Sequence, residues 1–185
     1  MSGHIGDMKS QHWNTPTKLV EAVTQVFGGQ IDLDPCDNEH SVTNARCSIK
    51  LPADGLKEGW ICDSEGNHYR NIFCNPPYGR DKIRGTSIAD WIHRCSYYGN
   101  SGSEIMLLIP SSTETGFWHE YIWGQADAIC FLKGRVSHPL EGKKQAASTK
   151  GSAMIYWGPN YEKFKDVFSQ LGKVVLDENL LGDPI

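Results

Sequence analysis

The sequence predicts an α/β fold, a mixed and mostly parallel sheet flanked by helices. Three observations carry this expectation. Segments of strand character alternate along the chain with segments of helical periodicity. The run EIMLLIP, residues 104–110, is apolar throughout until its proline, as a strand buried on both faces of a parallel sheet would be. Asp34, Asn75, Ser111 and Arg135 each stand just past the end of a predicted strand, and open α/β sheets bind ligands outside those carboxyl ends.

The elements follow in order. Leu19, Val20, Val23, Val26 and Phe27 recur at helical spacing over residues 17–27. Thr15 before Pro16 predicts an N-cap followed by a first-turn proline, and Gly28-Gly29 predicts the stop. QIDLDP predicts a short strand ending at Pro35, and residues 37–59 read as irregular with a turn at Asp54-Gly55. NIFCN, residues 71–75, predicts the next strand. SIADWIHRCSYYG predicts a helix with Ile88, Trp91, Ile92 and Cys95 on one face and Gly99 at its end. After strand 104–110 come a short helix near 117–123, strands AICFL and SAMIYWG, a helix over YEKFKDVFSQLG and a strand VVL.

A chain of 185 residues suits one domain, so a single unit over 1–185 is expected, with 1–12 and 178–185 as flexible tails and no separate target-recognition domain. The N-terminal segment lacks the apolar core of a signal peptide, and no run of about eighteen apolar residues exists, so a cytoplasmic protein without a membrane span is expected. The six cysteines form no CxxC pair, and His93 and His119 have no partner one helical turn away. Free thiols and no metal are the expectation. A net charge of −4 argues against a broad basic face of the histone kind, though not against a nucleic-acid enzyme with one basic cleft. Arg80, Lys82 and Arg84 form one local basic cluster, and Lys133, Arg135, Lys143, Lys144 and Lys150 another.

The chemistry concentrates in Asn75-Pro76-Pro77-Tyr78. Two prolines end a strand, because neither has a backbone donor. Their fixed φ also freezes the loop, so groups on it need little ordering when a ligand arrives. An exocyclic amine such as adenine N6 is a weak nucleophile while its lone pair is conjugated with the ring. The Asn75 side-chain oxygen and the Pro76 carbonyl would each accept one N6 hydrogen and draw that lone pair out of conjugation. Tyr78 offers a π-face for a base taken out of a duplex.

This stretch resembles motif IV of the amino-directed methyltransferases that use S-adenosylmethionine, a motif shared with enzymes acting on glutamine side chains and on guanine in RNA. Trp13-Asn14-Thr15-Pro16 resembles the WxTP element of phage-type DNA N6-adenine methyltransferases, at the place where a Thr-Pro of motif X helps hold the cofactor's carboxylate; standing alone, it reads as well as a plain N-cap. Asp32-Leu33-Asp34-Pro35-Cys36 resembles motif I in that family's form, without the Gly-rich loop usual in the glutamine and guanine enzymes. Asp54-Gly55-Leu56 with Trp60 resembles its D-G-L…W segment. LLIPSSTETGFW, the Gly134-Arg135 pair and SAMIYW resemble later segments, although Val136, Ser137 and His138 replace an aromatic common after the arginine.

The resemblance runs from about Trp13 to Trp157. It implies a Rossmann-like class I methyltransferase fold and methyl transfer from S-adenosylmethionine to N6 of adenine in DNA. It implies catalytic roles for Asn75, Pro76, Pro77 and Tyr78. Trp13, Thr15, Pro16, Asp32, Asp34, Pro35, Cys36, Asp54 and Asn75 would hold the cofactor. DNA contacts would come from Arg80, Lys82, Arg84, Arg135, Lys143 and Lys144, in the loops 79–87 and 133–150. A monomer is expected, in a bacterial host's cytoplasm if the protein is phage-encoded. Two alternatives stay open: an amino-methyltransferase of RNA or protein glutamine, and a catalytically inactive binding module.

Overall fold

The first helical stretch forms α1 (Thr17–Val26). The computed structural model describes residues 15–39, 41–61, 69–138, 146–147 and 150–177. In chain order the other elements are β1 (Leu33–Asp34), β2 (Cys47–Ser48), β3 (Asn71–Cys74), α2 (Ile88–Asn100), β4 (Glu104–Pro110), α3 (Gly116–Tyr121), β5 (Ala128–Leu132), β6 (Ser137–His138), β7 (Ala146–Ala147), β8 (Ser152–Trp157), α4 (Tyr161–Phe168) and β9 (Gly172–Leu176).

One sheet has the strand order β2-β1-β3-β4-β8-β5-β9, and β6 pairs with β7 as a separate ribbon. β1 is parallel to β2 and β3, and β3 is parallel to β4. β8 lies antiparallel between β4 and β5, and β9 is antiparallel to β5. β2, β1, β3, β4 and β5 therefore share one direction, and the sheet is mixed and mostly parallel.

β4 explains why an unbroken apolar run was needed. Ile105, Leu107 and Ile109 join Trp91, Ile92, Cys95 and Trp118 on the face covered by α2 and α3. Met106 and Leu108 join Val23, Val26, Phe164 and Phe168 on the face covered by α1 and α4. A central strand covered on both faces has no polar side to show.

Several local expectations are corrected. Thr15 is not the N-cap of α1: Pro16 occupies that position with ψ 135°, and no side chain caps the helix. Gly99 does not end α2, which continues to Asn100. A Cβ on Gly99 would stand 2.6 Å from Cβ of Trp157, so glycine serves there to let helix and sheet approach closely. α4 stops at Phe168, and Gly172 belongs instead to β9, where a Cβ would lie 2.1 Å from the Phe131 carbonyl oxygen. The predicted strand 30–35 shortens to Leu33–Asp34 as β1, although Ile31 and Asp32 still make backbone hydrogen bonds to its neighbours, and β2 arises inside the stretch read as irregular.

The parallel strands bring their carboxyl ends to one edge. Asp34 ends β1 there, and Asn75, Ser111 and the Lys133–Arg135 turn follow β3, β4 and β5. Because β8 runs the opposite way, its first residues come to the same edge: Ser152 pairs with Pro110, and Lys150 donates to Ser112 Oγ at 3.3 Å.

Candidate active site at the carboxyl edge of the sheet

β3 ends at Cys74 and hands the chain to Asn75, whose side chain is held from both ends. Its Nδ2 donates to Thr15 Oγ1 at 3.0 Å, and its Oδ1 accepts from the Tyr78 hydroxyl at 3.1 Å. The hydroxyl that sequence reasoning assigned to a helix cap is thus directed at the amide of the NPPY turn. Pro76 is buried, while Asn75, Pro77 and Tyr78 are partly exposed. Burial, with Cys36 and Cys74 adding to it, pushes the Tyr78 phenol well above its ordinary value, so it remains a neutral donor.

Beneath the turn lie uncharged thiols. Cys36 Sγ is 3.5 Å from Cys74 Sγ, and burial pushes the Cys36 thiol up to about 11 and Cys74 well above its usual value.

Beside the turn opens a cavity of about 390 Å³. Pro35, Cys36 and Asp37 line it from the end of β1, Asp54 and Gly55 from the following loop, Pro77 from the NPPY turn, and Trp91 from α2. The D-G-L…W spacing builds one wall. A Cβ on Gly55 would lie 1.8 Å from the Pro35 carbonyl oxygen, so only glycine lets this loop rest on the end of β1. Fully buried Trp60 fixes it by donating its Nε1–H to the Gly55 carbonyl at 2.9 Å. Arg94 stacks over Trp60 and Tyr98 and donates to the carbonyls of Leu56 and Glu58.

Three carboxylates have distinct environments. Asp34 is buried, accepting from Cys36 N–H at 3.2 Å and from the Thr43 hydroxyl at 3.0 Å. Burial, reinforced by the charge of Asp37, pushes its carboxyl up to about 7 despite those bonds. Burial would also raise Asp37, but hydrogen bonds from Ser41, Ser48 and Lys50 outweigh it and hold that carboxyl below the usual range. Lys50 Nζ stands 3.1 Å from Asp37 Oδ2. Asp54 uses Oδ1 to accept from Leu56 N–H at 3.0 Å. Its Oδ2 is buried and has no hydrogen-bond partner among the described residues, with Arg84 Nε at 3.8 Å and Lys57 Nζ at 4.0 Å supplying only its charge balance. An acceptor of that kind needs a donor from elsewhere.

Not every residue singled out in the sequence gathers here. Asp32 is turned toward the start of β3, accepting from Asn71 N–H at 3.0 Å with Arg46 at 3.8 Å. Arg84 lines the cavity and pairs with Asp81 at 2.9 Å, so it lies against the pocket wall. Arg80 and Lys82 are exposed on the same loop. Arg135 lies in a second groove of about 560 Å³ with Pro16, Lys18 and Lys133. Trp13, Lys143 and Lys144 lie outside the described residues. Sequence reading missed Asp37 and Lys50 on the pocket wall, and Lys18 in the groove. Asp37 directly follows Asp32–Cys36, so its place one step past the strand end was the available signal. Among the described residues no group of three or more His, Cys, Asp or Glu is placed to hold a metal ion, and no helix is long and apolar enough to cross a membrane.

A mixed, mostly parallel sheet, with a polar cavity beyond its carboxyl ends and an Asn-Pro-Pro-Tyr turn at the cavity wall, defines a Rossmann-like methyltransferase fold. The family model described as DNA N-6-adenine-methyltransferase (Dam) matches residues 3–179, nearly the whole chain. The chain belongs to that family and is a DNA adenine methyltransferase. No individual curated protein matches it.

Proposed function

We propose that the protein transfers a methyl group from S-adenosylmethionine to N6 of an adenine that has been turned out of DNA and is held by the NPPY turn. The observation that carries this reading is the Thr15–Asn75–Tyr78 group standing beside a cavity whose wall includes Asp54, a buried carboxylate oxygen of which accepts no hydrogen bond among the described residues.

The residues present fit the cofactor. A cavity of about 390 Å³ is in the size range of small-molecule sites. Its carboxylates, Asp37, Glu39 and Asp54, suit a molecule that carries an ammonium group, a sulfonium, ribose hydroxyls and an adenine amine. Asp54 Oδ2 would accept from one of those donors. Pro35 and Cys36 would line the cofactor's flank, and buried Asp34 would stiffen the end of β1 beneath it. Thr15 and Pro16, with Trp13 as the resemblance implies, would meet the carboxylate at the start of α1. When bound, S-adenosylmethionine supplies a methyl group already activated by its sulfonium.

The protein's part is positioning and fixed dipoles. Asn75 Oδ1 has two lone pairs, so the Tyr78 hydroxyl does not by itself exhaust it, and an N6 hydrogen can share it. The Pro76 carbonyl takes the second hydrogen. Together they localise the N6 lone pair toward the incoming methyl. Thr15 keeps the amide oriented, and the Tyr78 ring backs the base. Tyr78 keeps its proton and is no base. None is required before transfer, because N6 becomes acidic only once it is cationic, and its proton then passes to water. Arg80, Lys82 and Arg135 would bind DNA phosphates around the site. A cytoplasmic address follows from the substrate.

The test is incubation with methyl-tritiated S-adenosylmethionine and unmethylated DNA, RNA or protein, followed by digestion of the labelled acceptor. Label in N6-methyladenine from DNA is the expected result. Label confined to RNA or to glutamine would overturn the reading.

A further inference from the structure

Ile83 is 95% exposed, far more than any other large apolar side chain among the described residues; Tyr97 follows at 60%. Single exposed apolar residues are ordinary on protein surfaces. What distinguishes this one is how firmly the chain holds it out, and where. Asp81 and Thr86 close the loop with two backbone hydrogen bonds, at 2.8 and 3.2 Å. The Asp81 carboxylate accepts from Ile83 N–H at 2.9 Å and from Arg84 N–H at 3.0 Å, and it pairs with the Arg84 guanidinium. Gly85, at φ +71°, makes the return bend. Arg84 also reaches back toward Asp54, tying the loop to the cavity wall. The tip is therefore braced, and a β-branched side chain on it has little rotamer freedom to lose.

The loop leaves the NPPY turn directly. Ile83 is five residues past Tyr78, within about 18 Å of it even for a fully extended chain. Exposed Arg80 and Lys82 precede it on the same loop and bring positive charge beside it. An apolar tip beside cations matches a DNA duplex, whose phosphates meet the cations while its base stack accepts an apolar wedge. Turning a base out leaves a gap in that stack, and unstacking and unpairing oppose the motion.

We infer that Ile83 is the wedge that enters the duplex at the position the target adenine leaves, holding the stack open while Asn75 and Pro76 hold the base. This rests on the flipped-base reading above. It makes Ile83 a positioning residue on the DNA side, apart from cofactor binding and methyl transfer.

The test uses two duplexes carrying the site that the unaltered protein methylates, mapped by methylation-sensitive sequencing. In one the target adenine faces thymine; in the other it faces an abasic residue, which removes the pairing that resists flipping. Ile83→Ala should lower kcat/KM about tenfold or more on the paired duplex and leave the abasic-opposed duplex within about twofold. Ile83→Met should restore most of the loss, and cofactor affinity should be unchanged in both variants. Equal loss on both duplexes, or none on either, overturns the wedge. An unaltered protein that methylates no DNA adenine overturns the reading of function itself. An active one beside an unaffected Ile83→Ala overturns this inference alone.

Discussion

Asn75 Nδ2 donates to Thr15 Oγ1 at 3.0 Å, joining the start of α1 to the end of β3 across sixty residues of sequence. The amide that would receive the base is thereby fixed by the segment that leads into α1. Thr15→Val keeps the shape and removes the acceptor. Losing one hydrogen bond at a partly buried amide costs about 0.5–1.5 kcal/mol and lets the amide rotate from its fixed orientation. Methylation kcat should fall about tenfold, with a smaller change in the KM for DNA. Steady-state kinetics check this, and an unchanged kcat would separate Thr15 from the catalytic geometry.

Asp54 offers a buried oxygen that accepts no hydrogen bond among the described residues, with Arg84 and Lys57 near it only at ion-pair distance. Asp54→Asn retains the Oδ1 that accepts from Leu56 but places an NH₂ where the acceptor stood. Cofactor affinity should weaken by about tenfold to a hundredfold, the scale of losing a hydrogen bond to a charged group. The melting temperature without cofactor should move little. Titration calorimetry alongside thermal melts separates the two effects.

Stability should depend on pH through Asp34. Its carboxyl lies at about 7 in the folded protein against 3.8 ordinarily, so the folded state holds this proton more tightly than the unfolded one. The stabilising proton is present in both states below about pH 4. It is lost first from the unfolded chain, so stability falls as pH rises through the window from about 4 to 7 and the cost is complete above it. The two values bound that cost at about 4 kcal/mol. Asp34→Asn should flatten this part of the profile and be more stable than the unaltered protein at pH 8, with little difference at pH 4. Parallel slopes for both proteins in thermal melts from pH 4 to 8 would contradict it.

The fold was legible because its signals were local and strong. The apolar run at β4 and the periodicity of α1 and α2 sufficed to predict a mostly parallel sheet, and Asp34 and Asn75 at strand ends pointed to its carboxyl edge as the candidate site. What stayed hidden depended on contacts between distant segments. Gly99 reads as a helix stop, and only Trp157 packed against it shows that it marks a close approach. Thr15 reads as a cap until Asn75 is seen beside it. Asp32 and Asp34 look equivalent in DLD, yet one serves the start of β3 and the other is buried near the cavity. Arg84 looks like its basic neighbours until Asp54 and Asp81 are found around it.

The central claim is that Asn75 presents the amino group for methylation. It is tested most directly by measuring Asn75→Ala for both tritiated methyl transfer to DNA adenine and binding of S-adenosylmethionine. Methylation should drop by about a hundredfold or more, the scale of removing one fixed hydrogen-bonding group from a reacting centre, while cofactor affinity stays within a few-fold. Methylation at the rate of the unaltered protein would contradict the account.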